Sequence, residues 1–115
     1  MSYKQQVKGW SMAQLRARRT RLGRELPDVT ASVRGALQQQ FRRCGNPGCR
    51  CHAGELHGPY TYLALRTGTR TRLVYIPAVL AREVRRRVKM TGRLLATLEK
   101  ISVINLELIT RGELR

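Results

Sequence analysis

One short stretch constrains this chain more than any other. Residues 44–60, CGNPGCRCHAGELHGPY, hold all three of its cysteines and both of its histidines. With His57 as the last ligand the spacing is C-x4-C-x-C-x5-H, and three thiolates plus one imidazole form a recurrent four-coordinate structural zinc set. Gly45, Pro47 and Gly48 let the backbone turn between Cys44 and Cys49. The five residues between Cys51 and His57 leave room to fold back onto the metal. His52, adjacent to Cys51, is the alternative fourth ligand, but it would close an awkwardly small chelate ring. The reading is therefore Zn2+ held by Cys44, Cys49, Cys51 and His57, in a structural role. A catalytic zinc needs an open position and a nearby general base, and Glu55 is the one acid close by.

Charge is the second constraint. The 115 residues carry 23 Lys and Arg against seven Asp and Glu, a formal net charge of +16. Nineteen of the cations are arginine, the side chain that grips phosphate bidentately and stacks on bases. Such an excess makes a compact state repel itself, and a polyanion relieves the repulsion. Nucleic acid is the partner this charge implies. An odd number of cysteines argues against a disulfide framework. The start, MSYKQQVKGW, lacks the apolar block of a secretory signal. No apolar run is long enough to span a membrane. A cytoplasmic protein with free or metal-bound thiols is the expectation.

Periodicity divides the chain into an α+β arrangement. Residues 1–10 read as a loose basic tail, and 11–115 as a single zinc-stapled domain. Ser11 N-caps a helix over 11–26, with Met12, Leu15, Leu22 and Leu26 on one face and Arg19 interrupting it. Residues 34–76 alternate as strands, giving a three-stranded antiparallel meander with the zinc loop between strands 1 and 2. Leu37 and Phe41 share one side of the first strand. In the second, Thr61, Leu63 and Leu65 oppose Tyr60, Tyr62 and Arg66. A long amphipathic helix over 77–111 follows, with Leu80, Val84, Val88, Thr91, Leu95, Leu98, Asn105 and Ile109 along one face, widened by Leu94, Ile101 and Leu108. Arg82, Arg85, Arg86, Lys89 and Arg93 fall within about 100° of one another on the opposite face. Its C-terminal half outreaches the small sheet, so it packs on the first helix, on a second copy or on a partner. Asn105 inside the stripe either fixes a pairing register or is partly exposed.

The motif residues Cys44, Gly45, Cys49, Cys51, His57, Gly58, Pro59 and Tyr60 resemble a family of small prokaryotic proteins of no established activity. Its members share a Cys-Gly…Cys-x-Cys…His-Gly-Pro-Tyr signature, followed by a strand hairpin and a long helix rich in Arg and Leu. The resemblance spans about residues 34–110. It implies the same metal ligands and, since members often neighbour mobile genetic elements, an association with such machinery. One departure is the hairpin turn, which reads RTGTR over 66–70 where members often carry Gly-Lys.

Catalytic patterns are lacking. The seven acids form no paired-carboxylate site, the four serines stand in no nucleophile elbow, and no glycine-rich phosphate loop occurs. The chain reads as a non-enzymatic nucleic-acid-binding module that recognises backbone or shape, an accessory subunit of a larger nucleoprotein complex. Arg42, Arg43 and Arg50 flank the zinc loop and can clamp a backbone, and the basic helix stripe can track phosphates. Tyr60 and Tyr62 either pack against the long helix or, beside Arg66, Arg70 and Arg72, lie on an open sheet face suited to stacking on unpaired bases. Leu63 and Leu65 are the better packing candidates. The competing class is a protein–protein adaptor, or a homodimer formed through the C-terminal helix.

Overall fold

The computed structural model describes residues 1–113, so the last two positions of the expected domain lie outside the described residues. Three helices, α1 (Tyr3–Lys8), α2 (Met12–Arg24) and α3 (Ala78–Thr110), bracket three strands, β1 (Gly35–Arg42), β2 (His57–Thr67) and β3 (Arg70–Ile76). The α+β order and the antiparallel β1–β2–β3 sheet agree with the sequence reading. The chain parts into two compact units rather than one domain behind a tail. One comprises residues 1–30 and 90–115, the other residues 31–89, and α3 contributes to both.

The helical unit is built on caps and a small apolar core. The stretch expected to be a loose tail forms α1, because Ser2 and Gln5 make a reciprocal capping box and Val7 is buried. Ser11 and Gln14 repeat that box at the start of α2. Val7, Leu15, Ile104 and Leu108 form the core, with Tyr3, Trp10, Met12, Leu22 and Val103 packed around it. The C-terminal half of α3 therefore packs on α1 and α2, one of the three options its length left open.

The buried line of α3 follows the expected face only in part, sharing Thr91, Leu94 and Leu108 with it. Met90, Thr91, Leu94, Ile104 and Leu108 are buried, whereas Leu80, Leu95, Leu98 and Ile109 are 40–52% exposed. Adjacent apolar pairs such as Leu94–Leu95 and Leu108–Ile109 offer two stripes about 100° apart. The α1 and α2 side chains select the stripe through Ile104 and Leu108. Arg111 completes this unit: its guanidinium donates to the Lys8 and Trp10 carbonyls, satisfying acceptors at and beyond the end of α1, and pairs with Glu107.

In the other unit, strand register decides which residues share a face. Leu63 lies opposite Leu37 and Val74, and Tyr62 opposite Gln38 and Tyr75. The leucine side is the buried one: Leu63 is 6% and Ile76 9% exposed, against 52% for Tyr75 and 46% for Leu73 across the sheet. Between Gln40 and Arg42 the register slips at a bulge, and Phe41, expected beside Leu37, is more than half exposed. Gly68, at φ +59°, makes the β2–β3 turn.

Candidate metal centre and tyrosine-lined face

The loop between β1 and β2 is organised by its own backbone. The Asn46 side chain accepts from Gly48 N–H across 3.1 Å and its carbonyl accepts from Cys49 N–H, turning the chain between the first two cysteines. A short 3-10 turn, Arg50–Ala53, follows and ends on Gly54 in the left-handed region. Gly58 then brings His57 back beside Arg42. Its φ is +126°, and an added Cβ would sit 2.7 Å from the Gln40 carbonyl oxygen, so only glycine fits.

These turns gather Cys44, Cys49, Cys51 and His57 so that their ligand atoms all lie within 4.8 Å of one another. Cys44 Sγ and Cys51 Sγ are 3.6 Å apart, and Cys49 Sγ is 3.2 Å from His57 Nε2. Tetrahedral zinc with the usual bond lengths places its ligands about 3.5–3.8 Å apart, and the donor set matches that chemistry. Cys51 is fully buried, and its sulfur accepts from Cys44 N–H across 3.2 Å. The Cys51 backbone N–H, then the neighbouring thiols, hold Cys49 down at about 7, whereas burial pushes the Cys51 thiol up. His52 points elsewhere, donating from Nε2 to the Cys44 carbonyl across 3.0 Å. The tetrad is thus the set read from the spacing, with His57 rather than His52 as its fourth member.

Beside the tetrad, on the open side of the sheet, lies a shallow cavity of about 410 Å³. Tyr60, Tyr62, Tyr75, Arg42 and Arg43 line it together with Cys44 and His57. The Arg42 guanidinium lies 4.9 Å over the Tyr62 ring and donates to Gln40 Oε1 across 2.9 Å. Tyr62 and Tyr75 meet edge to face, with centroids 5.7 Å apart. Tyr75 did not emerge from the sequence. The signal was available only through the pairing of β2 with β3, which sets it opposite Tyr62.

The remaining basic candidates divide. Arg66 shares the tyrosine face by register, although further along β2. Arg70 and Arg72 do not: they pair with Thr67 and Leu65 and belong to the leucine side. That corrects the expectation that they border the tyrosines, because each residue's face follows the partner it pairs with. Arg50 opens the 3-10 turn and is exposed. Arg82, Arg85, Arg86, Lys89 and Arg93 are all exposed along α3. Arg86 differs from the others, because it and Arg87 both bind Glu83.

A family model described as a domain of unknown function, DUF6788, matches residues 12–86. The chain belongs to this family. The match takes in α2, the sheet, all four members of the tetrad and the start of α3. Neither a curated protein nor a solved structure matches the chain. Among the described residues, no helix is long and apolar enough to cross a membrane.

Proposed function

We propose that this DUF6788 protein is a zinc-stapled nucleic-acid-binding module that grips backbone and shape. In that role it serves as an accessory subunit of a larger nucleoprotein or mobile-element-linked complex. The metal is zinc, since three thiolates and an imidazole fill a four-coordinate set and leave no open position for substrate chemistry. Zinc here does structural work: it ties the loop to the start of β2, and its binding free energy becomes folding free energy.

One observation carries the nucleic-acid reading. The unit formed by residues 31–89 has twelve cations and two acids, a net charge of +10. Among the described residues, ten of those twelve make no ion pair, because Glu83 engages Arg86 and Arg87 and Glu55 engages none. Folding leaves this charge unneutralised, and a polyanion is the partner that neutralises it. The test is to purify the protein without nuclease treatment and identify what accompanies it. A high 260/280 absorbance ratio that falls after nuclease digestion supports the reading; a nucleic-acid-free preparation opposes it.

A second reading rests on a different feature. Leu95, Leu98, Leu106 and Ile109 form an exposed apolar strip on the C-terminal half of α3, the kind of face that docks on a protein or on a second copy. Such binding tolerates salt, whereas binding through many phosphate contacts weakens by several powers of ten.

A further inference from the structure

We propose that the cavity beside the metal tetrad takes one unstacked nucleobase of a single strand. Tyr75 is the stacking platform, Tyr62 and Arg42 brace it, and Arg43 contacts the flanking phosphate. The inference rests on the nucleic-acid reading above and adds a specific site to it.

Three properties of the cavity point to this ligand. Its volume of about 410 Å³ lies within the range of small-ligand pockets, roughly 300–1,000 Å³. Its walls combine three phenol rings with two guanidinium groups and contain no carboxylate, which suits a flat, π-faced group attached to an anion. Finally, the aromatic side chains are arranged rather than merely exposed. Arg42 covers Tyr62, and Tyr62 in turn holds Tyr75 through an edge-to-face contact. Tyr75 remains 52% exposed, an aromatic ring held in position but left open. Arg43 is exposed and, among the described residues, makes no ion pair or side-chain hydrogen bond. Stacking platforms flanked by cations are how single strands are held without sequence reading. Bases within a duplex are already stacked on their neighbours and present no free face.

The metal loop enters the same site. Cys44 and His57 form part of the cavity wall, so an emptied tetrad takes away part of that wall. Single-strand binding at this cavity therefore depends on the metal.

The experiment compares a fluorescent oligothymidine strand with a duplex of the same length, each titrated with the full-length, zinc-loaded protein. Tyr75→Ala should weaken single-strand binding about 5- to 150-fold and change duplex affinity less than about 2-fold. Tyr75→Phe, which keeps the ring, should stay close to the parent protein. Intermolecular NOEs between thymine protons and the Tyr75 ring in the unmutated protein provide a readout that needs no variant. Equal single-strand affinity for Tyr75→Ala and the parent, or absent NOEs at saturation, would overturn the pocket and leave the nucleic-acid reading standing. Failure of the unmutated protein to bind either probe would overturn that reading itself.

Discussion

Arg19 Nη1 donates a hydrogen bond to Asn105 Oδ1 across 2.9 Å, joining the two polar residues that interrupt the apolar stripes of α2 and α3. Each looks misplaced in its own helix, yet each satisfies the other in a half-buried setting. A cycle of Arg19→Met, Asn105→Leu and the double variant should give a coupling of about 0.5–1.5 kcal/mol in denaturant unfolding. The double variant carries the same charge as Arg19→Met, so the comparison between them is free of the general relief of repulsion. Additive effects would show that the bond contributes nothing.

The tetrad makes a sharper prediction. One zinc should bind per chain, and Cys51→Ser should abolish binding and expose the backbone amides of β1–β3 to hydrogen exchange. The amides of α1 and α2 should keep their protection, because the core of Val7, Leu15, Ile104 and Leu108 contains no part of the loop. His57→Ala should lose the metal, and His52→Ala should retain it. The reverse outcome for the two histidines would contradict the assignment.

Much of this site was legible because its residues are rare. Three cysteines and two histidines in one loop leave few ways to build a metal centre, and the turn-forming residues between them are equally visible. Helix α3 was harder to read. Its neighbouring apolar pairs support two stripes, and only packing against α1 and α2 selects Leu108 over Ile109. Helix α1 escaped notice because it is short and polar, with Val7 its one buried side chain. The positions of Tyr75, Arg70 and Arg72 depend on the β2–β3 register. Alternation within one strand shows which residues share a side, but not which residues of the next strand join them.

Glu83 offers a test in pH. Hydrogen bonds from Arg86 and then Arg87 hold its carboxyl down at about 2. The folded value lies below the ordinary carboxylate value, so the stabilisation from this cluster is complete above that ordinary value. It is lost as pH falls through about 2. Carbon-detected NMR of the side-chain carboxyl should find Glu83 still ionised at pH 3. A midpoint near 4.5 would mean that the two arginines do not hold it.

The basic face of α3 is tested by charge reversal. Arg82, Arg85 and Lys89 are exposed and unpaired among the described residues, unlike Arg86. Changing all three to Glu should leave the circular dichroism spectrum intact and weaken duplex binding broadly across sequences, with a shallower salt dependence. Unchanged affinity would move the phosphate contacts to Arg42, Arg43 and Arg50 around the metal loop.

The most direct test of the central claim is the salt dependence of duplex binding by the zinc-loaded protein, measured by fluorescence anisotropy. Contacts from about five to ten of the unpaired cations should make log Kobs fall linearly with log salt, with a slope of roughly −4 to −9. A slope near zero, or no binding at low salt, would contradict the account and return the chain to the protein-docking reading.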